Sequence, residues 1–127
     1  MGMIQTLTCP SCHESWEIAT GQGILHSTLD RVLKVFPQDT QMEIRKEVQG
    51  QLIPVFHFHY SMAACSRCKN MVAVPVIHIP ESGHTYTSLC PQCGTSANLE
   101  IFDEDAVPAC PRCGEGHLTV EDTGRWD

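Results

Sequence analysis

At 127 residues, with 42% hydrophobic and 6% aromatic content, the chain has room for one domain or two very small ones, on a core poor in large side chains. Its formal net charge of -7 is confined to the tail: residues 1–80 carry six acidic and six basic side chains, whereas 81–127 carry nine acidic ones against Arg112 and Arg125. The lack of clustered Lys and Arg weighs against nucleic acid as a partner, and no apolar run nears the ~18 residues of a membrane span.

The first predicted element is a strand over Ile4-Gln-Thr-Leu-Thr, running into Cys9-Pro-Ser-Cys12, and Ser15-Trp-Glu-Ile-Ala19 leaves that turn as a second strand. From Gly23 the period changes. Leu25, Leu29, Val32, Leu33 and Phe36 recur at helical spacing until Pro37 stops the run. Thr40-Gln-Met-Glu43 has the form of a capping box, in which the hydroxyl and the carboxylate answer free amides, so a second helix is expected from Thr40 to about Gly50. The two make a helical hairpin over about residues 23–50, inserted between the first and second cysteine pairs.

Alternation returns in Val55–Met62, with Phe56, Phe58, Tyr60 and Met62 on one face and Val55, His57, His59 and Ser61 on the other. The aromatic stripe is expected to pack on the helical stripe from Leu25 to Phe36. His57 and His59 read as solvent-side residues, since no carboxylate or third His stands at ligand spacing. Met71–Ile79 is a further strand, in which Pro75 argues for an edge or a bulge. A turn at Pro80–Gly83 and short strands at His84–Leu89, Asn98–Phe102 and His117–Val120 follow.

All eight cysteines fall in Cys-x-x-Cys pairs: Cys9 and Cys12, Cys65 and Cys68, Cys90 and Cys93, Cys110 and Cys113. The first residues have neither a basic nor an apolar export segment, so the expected compartment is the reducing cytoplasm, where thiolates bind metals more often than they form disulfides. A Cys-x-x-Cys turn directs both sulfurs to one point. Pro after the first Cys presets the turn, and Gly after the second accepts a positive φ. Two turns make a four-sulfur site with no place for water or substrate, which implies structural Zn2+, two per chain. Sequential pairing, first turn with second and third with fourth, is the favoured arrangement. The rival is nested, with Cys65 to Cys93 enclosing a β-hairpin turned at Pro80–Gly83 and Cys9 and Cys12 joining Cys110 and Cys113.

The turns Cys90-Pro-Gln-Cys-Gly94 and Cys110-Pro-Arg-Cys-Gly114 around a short hairpin resemble the zinc ribbon. Leu7-Thr-Cys-Pro-Ser-Cys12, Gly50-Gln-Leu-Ile and Cys65-Ser-Arg-Cys68 are similar to the bacterial CpXC group over about residues 4–79, although the second turn lacks Pro and His13 and Lys69 stand where Gly is usual. The tail also resembles the rubredoxin-type domain of rubrerythrins, which implies iron at one site and one-electron transfer, although Thr95 replaces that family's aromatic residue.

The expected fold is α+β: two small zinc-ribbon-like antiparallel β lobes, residues 1–80 with the helical insert and 81–127 as an acidic ribbon. With no Gly-rich phosphate loop, Gly-x-Ser-x-Gly or His-Glu-x-x-His, the expected function is a non-catalytic interaction or adaptor module. Its partner would be another protein or a second copy. Electron transfer stands second and nucleic-acid binding third.

Overall fold

The computed structural model describes residues 2–21, 28–94, 99–115 and 117–126. Strands β1 (Gly2–Thr8) and β2 (Ser15–Gly21) pair antiparallel from Gly2↔Gly21 to Thr8↔Ser15, with the first cysteine turn between them. Helices α1 (Leu29–Leu33) and α2 (Gln38–Glu47) follow. Then come β3 (His57–Cys65), β4 (Asn70–Ile79), β5 (His84–Thr87), β6 (Leu99–Phe102) and β7 (Thr119–Trp126). A single 3-10 turn at Glu104–Ala106 is opened by Asp103, whose carboxylate accepts from the Asp105 amide at 2.9 Å.

The helical segment departs from the sequence reading at the start of its second helix. Residues 23–27 of the expected first helix lie outside the described residues, and α1 covers only five. The expected capping box at Thr40 is not the start of α2. That helix begins two residues earlier behind Pro37, whose carbonyl accepts the Gln41 amide at 2.9 Å. Pro tolerates this place because the first-turn amides have no intrahelical partner to lose.

The strands form one sheet in the order β5-β4-β3-β2-β1-β7, with β6 added to the free end of β3. Strand β3 is the hub. It pairs with β4 along its whole length, touches β2 at Tyr60↔Gly21, and takes β6 from Met62↔Phe102 to Cys65↔Leu99. Each strand of the tail therefore pairs with a strand from residues 1–79: β5 with β4, β6 with β3, β7 with β1. Among the described residues, the only pairing within 81–127 is the bridge Ala109↔His117. The expected boundary near residue 80 is thus crossed by three separate pairings.

Pleat alternation sorts the core. On the even-numbered face of β3, Phe58 packs with Val32, Leu33, Phe36, Ile44 and Val48 of the helical segment and with Ile77 and Ile79 of β4. The expected meeting of the aromatic and helical stripes is found, with Phe36 and Phe58 edge to face at 6.2 Å between ring centroids. Farther along the same face, Met62 and Ala64 join Leu7, Ile18, Met71 and Phe102 in a second cluster. The odd-numbered face buries Ala63 and Cys65 with Val72, Val74 and Cys90. Among the described residues, no helix is long and apolar enough to cross a membrane.

Candidate metal centres

The eight thiols gather into two groups. Cys9, Cys12, Cys110 and Cys113 form one, the terminal site; Cys65, Cys68, Cys90 and Cys93 form the other, the hairpin site. The pairing is nested, so the favoured sequential arrangement is corrected. The four-sulfur set implied by the tail's likeness to zinc ribbon and rubredoxin, Cys90 and Cys93 with Cys110 and Cys113, is not the one formed.

The topology gives the reason. Cys65 ends β3, and Cys68 lies in the turn before β4. The chain then runs out along β4, reverses at Pro80–Gly83 and returns along β5, delivering Cys90 and Cys93 beside the turn it left. In the same way, β7 lies antiparallel to β1 with Thr119 opposite Thr8, which brings the Cys110–Cys113 turn to Cys9 and Cys12.

The sulfur geometry suits a four-coordinate ion. In the terminal site Cys9 and Cys113 are 3.6 Å apart, as are Cys12 and Cys110. In the hairpin site Cys65 and Cys93 are 3.6 Å apart, and Cys68 and Cys90 3.7 Å. A disulfide needs about 2.05 Å, whereas a tetrahedron with metal–sulfur bonds of about 2.3 Å has edges of about 3.8 Å. All four sulfurs of each group lie within 4.8 Å of one another.

Every turn has the same construction. Its first cysteine is buried and its second half-buried, and the residue after the second adopts a positive φ: His13 at 65°, Lys69 at 56°, Gly94 at 74° and Gly114 at 72°. The amides of His13, Gly94 and Gly114 each donate to the carbonyl of the first cysteine of their turn, at 2.9, 2.8 and 2.8 Å. The Cys12 amide donates to Cys9 Sγ at 3.5 Å.

These amides also set the charge. The Cys12 amide above all, with help from the Ser11 amide and against desolvation, lowers the Cys9 thiol to about 7. At Cys65 desolvation is outweighed by the Cys68 and Arg67 amides and by neighbouring thiols, again giving about 7. Their partners move the other way. Cys12 is pushed up to about 12: the lowering hydrogen bond from the Glu14 backbone is overcome by desolvation and by Cys9, Cys110 and Cys113. Desolvation, with Cys65 and Cys90, raises Cys68 to about 12. Four thiolates at these separations repel one another, and a divalent cation at the centre is the charge that lets all four ionise. The donor set therefore fits a tetrahedral thiophilic ion held by Cys9, Cys12, Cys110 and Cys113, and a second held by Cys65, Cys68, Cys90 and Cys93.

Among the described residues, no histidine joins either sulfur group. His57 and His78 face each other across β3 and β4 with near-parallel rings 6.5 Å apart, and His78 Nδ1 pairs with the Thr85 hydroxyl at 2.9 Å. Among the described residues, only the two cysteine groups bring three or more ligating side chains together.

Asn70, two residues after Cys68, drew no attention in the sequence. Its Oδ1 accepts from Trp16 Nε1 at 3.2 Å and from Arg112 Nη2 at 2.9 Å, and its Nδ2 donates to Gln92 Oε1 at 2.6 Å. A lone polar residue at a strand start carries no spacing signal for such a role.

The chain matches no family model, no curated protein and no solved structure.

Proposed function

We propose that the protein is a non-catalytic protein–protein interaction or adaptor module of the cytoplasm, held in shape by two structural four-cysteine zinc sites. The observation that carries this reading is the closure of both sulfur groups: each offers four thiolates at tetrahedral separations and, among the described residues, no fifth donor beside which a substrate would bind. Zinc suits such a site because it takes four thiolates tetrahedrally without a redox change. Each ion would add to the side-chain core by tying together turns that are distant in the sequence.

The interaction role is supported by the segment between α2 and β3. Leu52, Ile53 and Val55 are 100%, 85% and 60% exposed there, a run of large apolar side chains that water solvates poorly. The partner is another protein that covers this run. Metal analysis of the purified chain tests the core of the proposal: two zinc per chain are expected, with loss of the strand signal in far-ultraviolet circular dichroism under a strong chelator. Red protein that holds iron and shows a reversible redox couple would replace this reading with electron transfer.

A further inference from the structure

Both sulfur groups meet at one side chain. The Asn70 carboxamide links segments at or beside all four cysteine turns: Trp16 lies on β2 just after the first, Asn70 itself follows the second, Gln92 lies inside the third, between Cys90 and Cys93, and Arg112 lies inside the fourth, between Cys110 and Cys113. The orientation of the amide is determined by its partners. Indole and guanidinium only donate, so the atom facing both must be the oxygen, and the nitrogen is left to donate to Gln92. Both partners of the oxygen belong to the terminal site, while the chain position of Asn70 and its donor bond belong to the hairpin site.

Resting on the zinc reading above, we infer that Asn70 is a positioning residue that couples the two metal sites, so that an ion in one raises the affinity of the other. An ion in the terminal site fixes the Cys110–Cys113 turn and with it Arg112. Arg112 and Trp16 together orient the Asn70 amide, and that amide holds Gln92 and the Cys90–Cys93 turn in the conformation that binds the second ion. The link is reciprocal, as any coupling of two binding equilibria must be. Arg112 and Gln92 are exposed, so water competes for these bonds and the coupling belongs near the low end of the usual range, about fivefold.

The test uses cross-effects. Gln92→Ala and Arg112→Ala alter exposed side chains that ligate nothing, so both variants fold. With both sites loaded and no free zinc in excess, cysteine alkylation is followed peptide by peptide in the full-length protein. Gln92→Ala is expected to speed alkylation of Cys110 and Cys113 about fivefold, and Arg112→Ala that of Cys65, Cys68, Cys90 and Cys93 by the same factor; Asn70→Ala should speed both groups. If each exposed variant alters only the group that contains its own turn, the coupling is overturned although both zinc sites stand. If zinc protects no cysteine of the wild-type protein, the metal reading falls first, and the coupling with it.

Discussion

The two sulfur groups share a turn design and differ in what they close. The hairpin site joins residues 28 apart, Cys65 and Cys93, and sits in a buried cluster with Ala63, Val72 and Val74. The terminal site joins residues 104 apart, Cys9 and Cys113, and fastens the outermost pair of strands, β1 and β7. Closing the longer loop costs about 1 kcal/mol more in chain entropy, and it secures the edge of the sheet rather than its hub. One site is thus part of the core, and the other is a clasp on the chain ends.

Removing one thiolate from each site breaks or sharpens that contrast. Cys90→Ser disturbs the hairpin site at a residue 2% exposed, beside β3 and β4, which carry β5, β6 and the helical core. A global loss on the order of 4 kcal/mol is expected, read as hydrogen exchange throughout β3 and β4. Cys110→Ser should cost on the order of 2 kcal/mol, because detaching β7 leaves the helical core intact and local opening caps the loss. Its exchange should rise mainly in residues 119–126 and 2–8. Equal, global exchange in the two variants would erase the distinction between core site and clasp.

The sequence made some of this legible and hid the rest for physical reasons. Alternation and the cysteine turns marked β1 to β4 nearly in place, because pleat and turn geometry are local properties. That the cysteines come together in pairs was legible as well, since a Cys-x-x-Cys turn brings its two sulfurs together unaided. Which turns meet depends on β7 returning to β1, a pairing of residues distant in the chain that leaves no spacing between cysteines to read, whereas the β4–β5 hairpin that brings Cys90 to Cys65 was legible only as the rival arrangement. The start of α2 was hidden by a stronger local signal, Thr40 and Glu43, that Pro37 pre-empted. Asn70 was hidden because its partners come from β2 and two separate turns.

The half of the molecule around the hairpin site also has a tie that involves no metal. Tyr86 Oη donates to Glu47 Oε2 at 2.5 Å, and His84 Nδ1 lies 3.1 Å from Glu47 Oε1, fixing the end of α2 to β5 just ahead of Cys90. The hydrogen bond to Glu47, aided by desolvation and by the charges of Glu47 and Glu43, raises the Tyr86 phenol from 10.0 to about 12. Above pH 10 the unfolded chain gives up this proton while the folded chain keeps it, so the tie stabilises fully below pH 10 and is lost as pH rises toward 12. Tyr86→Phe is expected to cost about 1 kcal/mol at neutral pH and to flatten the alkaline decline, measured by urea denaturation at several pH values. An unchanged alkaline slope would mean that the Tyr86–Glu47 bond adds nothing to the stability of the hairpin half.

The smallest effects concern the residue after each second cysteine, where the two sites match. Each site has one turn followed by Gly (Gly94, Gly114) and one followed by a larger residue (Lys69, His13), all four at positive φ. The larger residues occur where the turn closes a paired hairpin: Thr8↔Ser15 brackets His13, and Cys65↔Asn70 brackets Lys69. There the strand register on both sides imposes the left-handed conformation and can bear its steric cost. Among the described residues, no strand ladder brackets Gly94, and Gly114 has only the isolated bridge Ala109↔His117 around it. A Cβ at either glycine would meet nothing within 4 Å, so only backbone conformation is at stake. Gly94→Ala and Gly114→Ala should each cost about 1 kcal/mol. His13→Gly and Lys69→Gly should gain no more than about 0.5 kcal/mol, because relief of the left-handed strain is offset by the greater freedom of the unfolded chain. Thermal midpoints of the zinc-saturated proteins measure all four. Alanine variants as stable as wild type would mean that the metal itself, rather than the hairpin register, holds these turns left-handed.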